Sequence, residues 1–521
     1  MTAASWTRDK TSPERTSSDE NRVASLERTV FRLSEAIGLD VEHQSISQPE
    51  VSVLRQVDKA NIDQEAPLLV IRDAASGDNT GLDPRLGTAN IVEKGFISGD
   101  EAKQLLAIFQ THYRRWIALR ESDESTSNMN IRGSPLLLCA CCLIAVRHWS
   151  SERARHIVDA LFAEAKALLS QQLLQSPQPL AFFQAVLVFS LWSTTIGQTP
   201  LSIDAWLLTG FAIQHASASD VFREAPYSSS LDSEFGSTVG KLLLWNRLCL
   251  AHLHACIGMR RNSMVSKAEV ERIRKRLPPG ELSNFEIRMV AETNLYWTLY
   301  DNAVASSVNL PQAQAALQSW KHVWNFLFDQ PRFQFLQMGY HFAQLLVFEQ
   351  SLNNKSAAVR ESLLSEMVRL CSAILQVAME TSDDRTKHLT DHIYHMITFA
   401  AVTLCRLLCK YETQLQARIN ISDSDTLVLD TSTWLRSLGS PFHVGHTMGD
   451  VIDAAHRKLR PSVHVELRRT SEPQQPTPDQ AIFPDFIGMG MDTLDIDWDA
   501  MLPDWQSLAS DDITQTVMPP G

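Results

Sequence analysis

From Ile91 to about Leu459 the apolar residues of this 521-residue chain recur at steps of three and four, in segments of roughly ten to twenty-five residues. No convincing stretch alternates with period two. Short breaks at 176–179, 278–280, Pro311, Pro331 and 439–441 separate the segments. The pattern predicts one all-α body over residues 88–460. Ser98 and Glu101 have capping-box spacing ahead of Leu105, Leu106, Ile108 and Phe109, and so open its first helix. Further upstream, Val23, Leu26, Val30, Leu33 and Ile37 form a heptad seam with β-branched residues at a and leucine at d. That choice favours a parallel two-stranded coiled coil over residues 18–38, and hence a homodimer. The seam is barely longer than two heptads, so an amphipathic helix docked on the body is the alternative. Residues 1–17 and 39–87 are polar without sustained periodicity and are expected to be disordered, the second stretch as a linker.

Charge sharpens the picture at the C-terminus. The formal net charge is −13, but no Lys or Arg follows Arg469, and that tail carries ten Asp and Glu, leaving about −3 for the rest. Residues 461–521 therefore read as a disordered acidic tail that begins with a Pro- and Gln-rich spacer. Its segment 482–509 sets Phe486, Leu494, Trp498, Met501, Trp505 and Leu508 among aspartates, although disordered tails are ordinarily poor in aromatics. Met491, Leu494, Trp498 and Met501 lie at steps of three, four and three. A short helix would present them as one stripe to an apolar groove, such as that of a coactivator. A merely solubilising tail is the plainer reading.

Candidate chemistry is sparse. The eight cysteines all lie in apolar helical stretches without C-x-x-C spacing, which suits buried thiols better than a zinc site or a disulfide framework. The N-terminal twenty residues lack the apolar core of a secretory signal, and the apolar run 135–146 is shorter than the roughly 20 residues that span a bilayer. No membrane association is expected. GSTVGK at 236–241 has three residues between its glycines where a phosphate loop has four. His388, His392 and His395 have the spacing of one helix face and could in principle hold a metal, yet no flanking Glu supplies a base. His252 and His254, two apart, cannot share a helix face. Arg272, Arg274, Lys275 and Arg276 form a basic cluster, read either as a solvated helix face or as a nuclear import signal. None of these patterns specifies an enzyme or a cofactor.

The most particular stretch is residues 180–265. Trp206, Gly210, Ile213 and Ala216 recur at four, three and three, so they share one helix face. A helical glycine costs about 1 kcal/mol relative to alanine, a loss most easily offset where another helix crosses closely. LLLW ending at Trp245, a long apolar run, and a G-x-R step at Gly258 and Arg260 follow. In this order the motifs resemble the middle homology region of fungal zinc-cluster transcription factors, nearest the branch with the leucine-biosynthesis regulator and the secreted-protease activator. The resemblance runs from about Ile91 to Leu459. Two positions depart from it: Asn246 stands where a second aromatic is usual, and Arg261 where a proline is. Such proteins carry a six-cysteine binuclear zinc cluster ahead of their coiled coil, whereas here no cysteine precedes Cys139.

The resemblance implies a nuclear regulator of RNA polymerase II genes, an activator whose helical body restrains or exposes the tail. Zinc is expected only with a cluster lying upstream of Met1, and DNA contact only through such a missing module or one supplied by a partner. A co-regulator that never touches DNA is the alternative, and an all-α enzyme a more distant one.

Overall fold

The computed structural model describes residues 89–119, 131–149, 151–197, 203–218, 222, 233–276, 282–304, 308–352, 357–439, 441 and 443–463. The heptad residues 23–37 and the acidic segment 482–509 lie outside them. Among the described residues there is no strand, and the fold is all-α. In order come α1 (Gly99–His112), α2 (Pro135–Val146), α3 (Ser151–Gln172), α4 (Leu180–Leu191), α5 (Ser193–Gly197), α6 (Ala205–Ala218), α7 (Ser233–Gly258) and α8 (Lys267–Arg276). They are followed by α9 (Asn284–Ala303), α10 (Leu310–Trp324), α11 (Gln334–Ser351), α12 (Ala357–Glu380), α13 (Asp391–Leu415), α14 (Ile421–Arg436) and α15 (Val444–Leu459).

Local chemistry sets many of these boundaries. Ser98 and Glu101 form the expected capping box on α1, and Ser283 with Glu286 repeats it on α9. Pro311 opens α10 beside the Asn309 cap, in the first turn where a missing N–H costs nothing. Gly439, at φ 72°, turns the chain out of α14 with a left-handed backbone that suits glycine. GSTVGK lies inside α7, so it forms no phosphate loop.

The apolar helices α2 and α4 are buried nearly all round, and they pack against each other and against α3, α6 and α7. From there α7 packs on α9, α9 on α10 and α11, and α11 on α12. Next α12 packs on α13, and α13 on α14 and α15. A contact between α13 and α5 closes the path, and one continuous core runs from Ile91 to Ile452. Two stretches, Arg360–Glu380 and the whole of α13, are long and apolar enough to cross a bilayer, but each is at least half buried within the body. Seven cysteines are buried as expected; Cys409 is exposed, facing outward on α13 between the buried Leu408 and Leu415.

Among the described glycines, the closest approach to a neighbouring backbone was not foreseen. It lies where α15 crosses α14, at Gly445 and Gly449. A Cβ on Gly445 would meet Leu435 O at 2.6 Å, and one on Gly449 would meet Ser432 O at 2.8 Å. The glycines sit four apart on one face, and Ser432 Oγ donates to Gly449 O at 2.9 Å across the contact.

Candidate functional site

A cavity of about 360 Å³ opens between the 3-10 turn at Arg114–Ile117, α7, α9, the start of α11 and the turn before α13. Its roof is the 3-10 turn Thr386–His388 with Leu389 and Thr390. Side chains from distant parts of the chain pin this turn. Arg147 Nη2 and His443 Nε2 reach Lys387 O at 2.9 and 3.0 Å, Trp192 Nε1 donates to Leu389 O at 2.9 Å, and Tyr394 Oη donates to Thr386 O. Beside it the buried Tyr113 oxygen accepts Arg147 Nε and Nη2 at 3.0 and 2.6 Å, and lies 2.7 Å from His148 Nε2 and 3.0 Å from His388 Nδ1. His388 also stacks on His112 at 3.7 Å. Burial pulls its pKa down to about 2, with His112, His148, Arg147 and Lys387 adding repulsion. The roof is therefore a fixed turn in which His388 is neutral.

The floor and walls combine apolar surface with arginines. Phe285 meets Trp116 edge to face at 5.1 Å, and the guanidinium carbons of Arg115 and Arg247 lie 5.5 and 5.7 Å from its ring centre. Arg288 donates to Arg332 O, and Arg332 pairs with Asp383. Burial lowers the Arg288 pKa; Glu292 opposes that shift, while Arg332 and Arg115 reinforce it. Arg247 differs from the others. It is 4% exposed, and its Nε and Nη1 are buried without a hydrogen-bond partner. Desolvation pulls it down to about 10 against the field of Glu286, whose carboxylate takes the N–H and hydroxyl of Ser283. The adjacent Asn246, 1% exposed, also has both ends of its amide unpartnered.

The opposite face of α7 carries the motif read in the sequence. Trp206 Nε1 donates to Asn262 O at 2.9 Å, and Arg261 lies over its ring at 5.0 Å while pairing with Asp204 at 2.6 Å. The arginine found where a proline is usual thus ties the chain after α7 onto the start of α6. Arg260 takes a left-handed backbone just past Gly258, which ends α7. Above Gly210 lie the Met264 thioether, 3.1 Å from a built Cβ, and the His252 ring. Ile213 and Ala216 are buried on the same face. Met264 N donates to His252 Nε2 at 3.1 Å, so that nitrogen is unprotonated and Nδ1–H faces Thr209 Oγ1 at 3.0 Å. A second proton would set N–H against N–H, and burial lowers the pKa of His252 to about 4.

The structure separates the three histidines. His388 sits in the turn before α13, while His392 and His395 lie on α13 itself. His392 instead stacks face to face on His254, 3.6 Å apart at 9°, and bonds Tyr296 Oη. His254, Glu292 and His392 bring donor atoms within 4.8 Å of one another, the one potential metal-binding group among the described residues. In parallel stacked rings the in-plane lone pairs do not converge, so a metal there requires rotation of a ring. Trp245 Nε1 donates to Glu269, which also pairs with Arg272; Arg274, Lys275 and Arg276 lie exposed on α8. Arg247 was missed by the sequence reading, although Asn246 and Arg247 form a conspicuous polar pair inside the apolar run of α7.

Residues 95–459 match the family model described as the middle domain of the transcriptional activator of proteases prtT. The chain belongs to the prtT middle-domain family. Relatives include a transcriptional activator of proteases prtT from Aspergillus clavatus, 25% identical over 407 residues, 74% of this chain and 64% of that protein. The Aspergillus niger prtT activator is 26% identical over 317 residues, 60% of this chain and 49% of that protein. A transcriptional regulatory protein of Schizosaccharomyces pombe is 28% identical over 337 residues, 62% of this chain and 61% of that one. The chain thus spans less than two thirds of the length of each. Both the Trp206 motif and the cavity fall inside the span matched to the prtT middle domain.

Proposed function

We propose that this chain is a nuclear transcriptional activator of the zinc-cluster type, acting on genes read by RNA polymerase II. The observation that carries the reading is the match of residues 95–459 to the prtT middle domain, with relatives named as transcriptional regulators and activators. The helical body is the regulatory part, and its function is regulation rather than catalysis. The acidic tail engages a coactivator, with Phe486, Leu494, Trp498, Met501, Trp505 and Leu508 entering an apolar groove while aspartates steer the encounter. Self-association runs through Val23, Leu26, Val30, Leu33 and Ile37. Arg274, Lys275 and Arg276, with Arg272 beside them, form the import signal. DNA is reached through a zinc-cluster module that residues 1–521 do not contain, such as one supplied by a partner.

Residues 482–509 fused to an unrelated DNA-binding domain should activate a reporter, and Trp498→Ala with Trp505→Ala should abolish that activity. A silent fusion, or a double variant as active as its parent, would remove the activator assignment and put a co-regulator in its place.

A further inference from the structure

A guanidinium removed from water normally has its donors met by carboxylate or carbonyl oxygens, because an unpaired buried charge is among the most costly features a fold can hold. Arg247 lines the cavity at 4% exposure with Nε and Nη1 unmet. The other cationic side chains around the cavity have company. Arg332 pairs with Asp383, Arg288 lies in the field of Glu292 and donates to Arg332 O, and Arg115 and Arg385 are exposed to solvent. Glu286, whose charge reaches Arg247, is held by Ser283 at the start of α9. The cavity therefore has a place for a negative charge at Arg247.

The remaining surface defines what carries that charge. Trp116, Leu250, Phe335, Leu336 and Ile393 supply apolar lining, and the volume sits at the small end of the range typical of ligand pockets, about 300–1,000 Å³. Glu292 and Asp384 also line the cavity and disfavour a second anionic group near either of them. We propose that this cavity is a ligand site for a small amphiphilic monocarboxylate, its carboxylate on Arg247 and its apolar body between Phe285, Leu250 and Ile393. The ligand bridges α7, α9 and the first turn of α13, so its arrival couples elements far apart in the chain. That binding stands apart from the transcriptional reading; any control of activation by the ligand rests on it.

The test uses the full chain with octanoate and 3-phenylpropionate as probes, and with 1-octanol, 3-phenylpropan-1-ol and inorganic phosphate as controls. Both acids should raise the melting temperature in a concentration-dependent way, and neither the alcohols nor phosphate should match them. Arg247→Met should melt higher than the parent without ligand, yet bind the acids at least tenfold more weakly by calorimetry. Leu250→Trp, which fills the cavity and leaves Arg247 in place, should weaken binding as well and covers the case in which Arg247→Met fails to fold. Equal shifts from acids and alcohols, equal shifts from phosphate, or undiminished binding in either variant would overturn the site. None of these readouts involves the reporter, so a silent tail fusion and an empty cavity are separable failures.

Discussion

Two buried arginines in this molecule meet opposite fates. Arg460, at the end of α15, is held by Asp425 through Nε and Nη2 at 3.1 and 2.9 Å and by Glu412 through Nη1 at 2.9 Å. His456 completes the group by reaching Asp425 at 3.0 Å. Arg247, on α7, is buried as deeply, yet it has the ring of Phe285 and the field of Glu286 but no acceptor for Nε or Nη1. The first arrangement is what a fold needs in order to carry charge in its interior, since every strong donor has an acceptor. The second leaves a strong donor unmet beside a cavity. Completion marks architecture, and the incomplete site marks a place for something else.

Removing the acceptor from the complete group should have the largest effect. Asp425→Ala would leave Arg460 and His456 buried without their shared partner, a change that typically costs about 3–5 kcal/mol. Chemical denaturation of the full chain should show a large fall in the midpoint. A variant as stable as the parent would mean that the Asp425 group is not a structural fastening, and the contrast with Arg247 would lose its meaning.

Much of this division could not have been read in the sequence. The helices were legible because period, caps and breaks are local, as at Ser98, Pro311 and Gly439. The Trp206 motif was legible too, because its residues share one face. Asp425, His456 and Arg460 lie up to 35 residues apart, and nothing in α14 distinguishes Asp425 from Asp423 or Asp430 until the helices pack. The five cavity arginines come from five separate segments. Arg247 alone left a mark, a charge among apolar neighbours, and its meaning depended on what did not face it. Gly445 and Gly449 have the spacing of a close crossing, but Gly210 in its aromatic context drew the attention.

Acid should separate the two regions by pH. The carboxylate of Asp425 is penalised by burial, but the hydrogen bonds from His456 and Arg460 outweigh that and hold its pKa below the usual 3.8. Its stabilisation is present above that value and is lost only as the pH falls below it through the folded-state pKa. His252, buried and neutral between Met264 N–H and Thr209, has a folded pKa of about 4 against 6.5 when unfolded. Its unfolded form takes up the proton first, so its contribution is intact above pH 6.5 and is lost as the pH falls from there toward 4. Each pH step of one between those two values removes about 1.36 kcal/mol, so by pH 5 this imidazole has lost about 2 kcal/mol of its contribution. His252→Gln should remove one imidazole's share of the slope between pH 6.5 and 5, the rest remaining with the other buried histidines such as His388, His395 and His443, whereas Asp425→Asn should leave the slope as it is. Equal slopes for His252→Gln and the parent would show that His252 is not among the groups that titrate in this window.

The smallest effect turns on a comparison of two glycines, one in each region. At Gly449 an added methyl meets Ser432 O at 2.8 Å and the Arg436 side chain at the same distance. The carbonyl belongs to α14, so the two helices must part, and overpacking of this kind costs about 1–3 kcal/mol. It would also pull Arg436 from Asp450 and Asp453, with which it pairs at 2.8 and 3.0 Å. At Gly210 the added methyl meets the end of Met264, a flexible thioether that is 42% exposed and can swing toward solvent. There the gain in helix propensity of up to about 1 kcal/mol works against a small displacement. Gly210→Ala should therefore stay within about 1 kcal/mol of the parent, and Gly449→Ala should fall clearly below it in the same denaturation series. The reverse order would place the close crossing at α6 after all, with Met264 as rigid as a backbone.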